Sequence, residues 1–176
     1  MQDYNDKDIY KNAANYGLIL GLVIIIFTSL FYFLGQSTRS SSMSFLPIVF
    51  TAVAITFGTK NLRDKFQGGY ISYGRALGSG VLITLFGAVI QSFFTYVFFT
   101  YISPESLTLM LDTMEQAFID QGQSEEQIAA TMQMTKQFMG PTTLAISGIF
   151  SAMLWGLILS LVSAAFVKRN ESIFEE

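Results

Sequence analysis

Residues 76–102 read ALGSGVLITLFGAVIQSFFTYVFFTYI, a stretch without a single Asp, Glu, Lys or Arg. A bilayer core of about 30 Å needs roughly 20 helical residues at about 1.5 Å each, whereas a helix in a soluble core needs no uncharged run of that length. Three other windows repeat the pattern. Charge is absent over 12–38, 40–59 and 137–167, and the window around the quoted stretch extends over 76–104. Within them the apolar spans are 16–34, 43–59, 76–102 and 141–167. The second is the shortest, and its Pro47 falls in the first turn, where a missing backbone N–H costs little. The expected fold is therefore all-α: a polytopic membrane protein with four transmembrane helices, forming one membrane domain over residues 1–176.

Distribution carries this reading and composition does not. The chain has 176 residues, of which 51% are hydrophobic, close to the roughly 45–50% of soluble domains. Charged residues make up 13%, about half the usual share. There is no cysteine and no histidine, which removes thiol chemistry, haem and iron–sulfur ligation, His- or Cys-based zinc sites and His-dependent triads; no cofactor is expected. The net charge of −3 comes largely from one loop, and nucleic acid is not an expected partner. Asp3, Asp6 and Asp8 spoil a basic signal-peptide n-region, and the apolar run that follows is too long for a signal core. The first span is read as retained.

Orientation follows from Lys and Arg. Lys7 and Lys11 precede span one. Lys60, Arg63, Lys65 and Arg75 lie between spans two and three, and Lys168 and Arg169 follow span four. The opposite side holds only Arg39 and Lys136. Both termini and the loop 60–75 are thus expected in the cytoplasm and the segment 103–140 outside. That segment carries six acids (Glu105, Asp112, Glu115, Asp120, Glu125, Glu126) against Lys136, a net of −5.

The external segment has the signals of a helical hairpin between spans three and four. Ser103-Pro104-Glu105 supplies an N-cap, a proline at the first helical position and an acid in the first turn. Leu107, Leu111, Met114 and Phe118 recur at spacings of three and four. Gly122 ends this helix, and Ser124-Glu125-Glu126-Gln127 matches a capping box that opens a second. Ile128, Met132, Thr135 and Met139 share a face of it, and Phe138 is expected to join the seam between the two helices. Within the spans, small residues recur four apart: Gly17 and Gly21; Gly74 and Gly78; Ala76, Gly80, Thr84 and Ala88; Gly148, Ala152 and Gly156. Such rows let helix backbones approach closely in lipid.

The stretch 60–77, KNLRDKFQGGYISYGRAL, joins a basic segment to a Gly68-Gly69 turn and to Tyr70 and Tyr73 just before span three. With Ser103-Pro104-Glu105, the acidic external segment and Lys168-Arg169, it resembles an uncharacterised family of small bacterial membrane proteins, domain of unknown function 4199. The resemblance implies a four-span protein of the bacterial inner membrane. It implies no activity, because the family has none assigned.

Chemistry is sparse. Ion-coupled transporters place Asp, Glu, His, Lys or Arg in the membrane, and no span has one. Gln91, Ser92 and Thr95 are the most polar patch; an interhelical hydrogen bond is the simpler reading than a lined cavity. Ser147, Ser151, Ser160 and Ser163 have no intramembrane base to activate them as nucleophiles. Glu125 and Glu126 are adjacent and point to different sides of a helix, so they form a charged first turn and not an acid/base pair. Met110, Met114, Met132, Met134 and Met139 are soft ligands suited to Cu(I), but methionine filling gaps between two helices accounts for them more simply.

The expected function is non-enzymatic: a membrane accessory or interaction protein, such as a subunit of a larger complex, with a small oligomeric channel or transporter as the rival. Its expected contact surface for a membrane-protein partner, a second copy or lipid is Lys60, Arg63, Lys65, Gly68, Gly69, Tyr70, Tyr73 and Arg75. Beyond that, the lipid bilayer is the expected partner.

Overall fold

The computed structural model describes residues 6–34 and 45–169. Its elements are helical: α1 (Asp6–Phe33), α2 (Leu46–Phe66), α3 (Tyr73–Val97) running into a π turn (Phe98–Ile102), α4 (Glu105–Asp120), α5 (Glu125–Phe138) and α6 (Pro141–Val167). The all-α expectation holds. Among the described residues three helices are long and apolar enough to cross a membrane: α1, α3 with its π turn, and α6. At 21 residues α2 has the length, but its last two turns hold Lys60, Arg63, Asp64 and Lys65. The expected start of the second span at 43, Arg39 and the serine turn 40–42 lie outside the described residues.

Two helices run past the apolar spans. α1 begins at Asp6 and α2 continues to Phe66, so the expected loop 60–75 shrinks to 67–72. Lys, Leu and Arg are good helix formers, Leu62 is fully buried, and Arg63 and Lys65 in the last turn complement the helix dipole. Charge ended the apolar run without ending the helix.

The chain divides into two compact units, Met1–Gln91 with Ile149–Glu176, and Ser92–Gly148. The first buries small and polar residues together with Leu20, Ile24, Ile55, Leu62 and Ile83, and leaves many large apolar ones outside. A Cβ at Gly17 would lie 2.5 Å from Phe86 Cβ and 2.8 Å from the Ile83 carbonyl oxygen, and one at Gly21 would lie 3.0 Å from Ile90 Cβ. α1 and α3 therefore touch through their backbones. α3 and α6 also pack closely, with Gly156 against the Thr84 side chain and Gly80 against the Ser160 side chain. Leu18, Leu22, Ile26, Leu154, Trp155 and Phe166 are exposed, the last by 83%. This arrangement suits lipid as the surrounding solvent, where backbone proximity and not apolar burial holds helices together.

The second unit contains the helical hairpin. α4 ends in a Schellman motif: Gln123 N–H donates to Phe118 O at 3.3 Å and Gly122 N–H to Ile119 O at 2.9 Å, with Gly122 at φ 74°. Only glycine adopts that conformation without a Cβ penalty. The capping box at Ser124 and Gln127 is formed on both sides. Ile128 and Met132 are buried, and Leu107, Leu111, Met114 and Phe118 are half-buried. Phe138 departs from the expected seam and is 65% exposed, because it lies one position off the face shared by Ile128, Met132, Thr135 and Met139. The N-cap differs too. α4 begins at Glu105 with Pro104 in the cap position, and the Ser103 hydroxyl donates to Glu105 Oε1 at 2.8 Å and bonds Ser106 Oγ at 2.7 Å. Ser92 Oγ donates to Ala145 O at 2.9 Å, the interhelical bond expected of the polar patch.

Candidate functional site at the turn between α2 and α3

α2 terminates on two glycines in left-handed conformations, Gly68 at φ 60° and Gly69 at φ 89°. A side chain at either would be strained. Their geometry folds the chain back, so that Gly69 N–H donates to Arg63 O at 2.9 Å and Tyr70 N–H to Gln67 O at 3.1 Å. The next residue, Ile71, pairs with Arg169 beyond the end of α6 in an isolated antiparallel bridge. Ile71 then sits in a plug with Leu62, Ala76, Ala164 and Val167, against which Ile9 and Leu77 pack. The turn is held by backbone pairing on one side and apolar burial on the other.

Around this plug the charged groups are mostly engaged. Arg63 Nε donates to Asp64 Oδ1 at 2.7 Å, and its Nη1 to the Val167 carbonyl at 3.1 Å. The second bond satisfies one of the orphan carbonyls at the C-terminus of α6. The Arg63 hydrogen bond, joined by the charges of Arg63, Lys60 and Arg169, holds the Asp64 carboxyl below its ordinary range, with desolvation opposing. The Arg169 guanidinium stands 5.7 Å from the centre of the Tyr70 ring, within cation–π range. Tyr73 Oη donates to Leu161 O at 3.3 Å. Arg75 Nη2 lies 3.8 Å from Asp6 Oδ1, an exposed pair of small energetic weight. Lys60 and Lys65 are exposed.

The eight residues expected as a contact surface therefore divide. Arg63, Gly68, Gly69 and Tyr70 build one turn together with Arg169. Arg75 faces Asp6 of α1, Tyr73 is tied to α6, and Lys60 and Lys65 face outward. Arg63, expected as one of the contact residues, directs two of its donors within the chain.

Three residues outside the expected surface take part here. Arg169, expected only as part of a basic tail, covers Tyr70. Asn12 and Asn61 belong to no motif, yet Asn12 Nδ2 donates to Gly58 O at 2.9 Å and Asn61 Nδ2 to Asn12 Oδ1 at 2.7 Å. Asn12 is 3% exposed, and this chain of amides ties α1 to α2. Its signal was a pair of carboxamides at the edges of two uncharged windows, where a polar group requires a partner.

Among the described residues no three His, Cys, Asp or Glu side chains cluster to hold a metal ion. What the turn offers chemically is a preformed basic and aromatic surface. A family model described as protein of unknown function (DUF4199) matches residues 15–169. No curated protein and no solved structure matches the chain. With nearly its whole length covered by the model, the chain belongs to the DUF4199 family.

Proposed function

We propose that this DUF4199 member is a non-enzymatic integral membrane protein that serves as an accessory or interaction subunit of a larger membrane complex. It inserts in the bacterial cytoplasmic membrane through four helices, with α2 and the residues just before it as the second span. The termini and the α2–α3 turn face the cytoplasm, and the acidic α4–α5 hairpin lies outside. The split of eight basic residues against two supports this orientation.

The observation that carries the interaction reading is the double restraint on residues 67–72. Two left-handed glycines and the Ile71–Arg169 bridge hold this turn in one conformation, with Lys60 and Lys65 exposed beside it. A surface already ordered loses little entropy when a partner binds. Co-purification in mild detergent followed by mass spectrometry tests it. A partner that survives in wild type and is lost from Gly69→Val, while insertion is unchanged, is the expected result. If both retain the same partners, the turn serves only the fold.

The rival reading, a small oligomeric channel or transporter, draws on one feature. Thr59, Ser79 and Ser160, on α2, α3 and α6, are wholly buried, and their hydroxyls have no hydrogen-bond partner. Hydroxyls of this kind suit a polar path. Solute or ion flux into proteoliposomes containing the pure protein would favour this reading over the first.

A further inference from the structure

A groove of about 270 Å³ runs between α1 and α3, with Asp6 and Tyr10 on one wall and Gly74, Arg75, Gly78 and Ser79 on the other. Its two glycines differ from the tightly packed ones of α3 and α6, while Gly148 of α6 is as open as they are. Gly80, Gly87 and Gly156 stand against a neighbouring helix, whereas a Cβ at Gly74 or Gly78 would meet nothing within 4 Å. Glycine in a helix costs about 1 kcal/mol relative to alanine, and packing among the described residues gives these two no reason to be glycine.

Ser79 supplies an independent sign of a ligand. It lines the groove and has no exposed surface, yet its Oγ has no hydrogen-bond partner. A buried donor left unsatisfied is unfavourable. One turn earlier on the same wall, Arg75 keeps about a third of its side chain exposed (35%). Its planar fork matches phosphate oxygens in a two-pronged manner that lysine cannot reproduce. Arg75 immediately precedes the uncharged window 76–104, which is where a headgroup meets the hydrocarbon. Ile9 and Leu82 add apolar lining. Asp6 opposes an anion, but its side chain is 78% exposed and therefore well screened.

We propose that this groove seats the phosphate of an anionic phospholipid. Arg75 binds the phosphate oxygens, Ser79 donates its hydroxyl to the ligand, and Gly74 and Gly78 leave the space it fills. The apolar lining selects a lipid over a free anion. The proposal rests on the membrane reading above and is independent of any protein partner.

The test uses the full-length chain in phosphatidylcholine vesicles, with spin-labelled phosphatidylglycerol or phosphatidylcholine as the probe. Wild type is expected to hold the glycerol lipid in preference to the choline lipid. Arg75→Gln and Gly78→Leu should each lower that preference by roughly fivefold, taking about 1 kcal/mol per cation near a headgroup as the scale. Ser79→Ala should lower it less, and Lys168→Gln should leave it unchanged. Gly78→Leu enters open space and favours the helix, so retained helicity and carbonate-resistant insertion are expected of it. An unchanged preference in Gly78→Leu overturns the groove. So does an equal loss in Lys168→Gln, which would mean diffuse surface charge. Displacement of the lipid by inorganic phosphate would overturn its assignment to a lipid. Extraction of wild type by carbonate would overturn the membrane reading itself, whereas wild type that inserts but holds both lipids equally refutes the groove alone.

Discussion

Ile71 and Arg169 exchange both of their backbone hydrogen bonds, Ile71 N–H to Arg169 O at 2.9 Å and Arg169 N–H to Ile71 O at 3.0 Å. A turn between the second and third helices is thereby clasped by the residue that leaves the last one. Backbone groups buried without partners are costly, so this pairing completes the ends of two elements that lie far apart in the chain.

Truncating Ile71 should release both segments together. The side chain is 2% exposed in its plug, and Ile71→Ala is expected to cost about 2–4 kcal/mol. Hydrogen exchange followed by mass spectrometry should show the amides of Ile71 and Arg169 losing protection in step. Loss at one and not the other would mean that the bridge does not form as a unit. Arg169→Gln keeps the backbone bridge, removes the guanidinium from Tyr70 and its charge from the surroundings of Asp64, and should cost no more than about 1 kcal/mol.

Glycines of the same spacing should differ in consequence. Gly17→Leu drives a side chain into Phe86 and the Ile83 carbonyl and is expected to separate α1 from α3, with a large fall in melting temperature in detergent. Gly74→Ala meets open space and should be neutral or stabilising by up to about 1 kcal/mol. Equal melting temperatures for the two variants would refute the close approach at Gly17.

The Asn12–Asn61 pair gives a coupling to measure. Asn12→Ala leaves the Asn61 amide without its acceptor and should cost about 1–3 kcal/mol. Asn12→Leu combined with Asn61→Leu removes both partners and should cost less than the sum of the single changes. Additivity in that cycle would show that the bond contributes nothing.

Topology is tested by reporters. The structure shifts the insertion point: residues 60–66 are helical, so a cytoplasmic reporter belongs at Gly68 or Gly69, with an external one at Gly122. The two are expected to report opposite sides of the membrane. The same side for both would exclude the proposed arrangement.

Glu105 should titrate below an ordinary glutamate. Its own backbone N–H, and after that the Ser103 hydroxyl, hold the charged form and lower its pKa. With a folded value below the unfolded one, any stability it contributes is present above the unfolded pKa and is lost as pH falls through the folded pKa. Carbon-detected NMR titration should find the Glu105 midpoint depressed, and in Ser103→Ala it should move upward without reaching the ordinary value. A midpoint unmoved by Ser103→Ala would remove the hydroxyl from the account.

The uncharged windows, the stop at Gly122 and the capping box at Ser124 were legible in the sequence by itself, because each depends on residues within a few positions of one another or on the length of a run. The helical course of residues 60–66 was not, since its basic residues read equally well as solvated loop until Leu62 is seen buried under Ile71 and Val167. The candidate site was half legible. Gly68 and Gly69 marked a turn, but nothing local said that Arg169 would cover Tyr70 or that Arg63 would bond the end of α6. The glycine rows make the same point: Gly17 and Gly21 share their spacing with Gly74 and Gly78. Only the tertiary structure decided that the first pair meets a neighbouring backbone and the second an open groove, because spacing fixes which face of a helix a residue lies on and packing alone determines what stands opposite it.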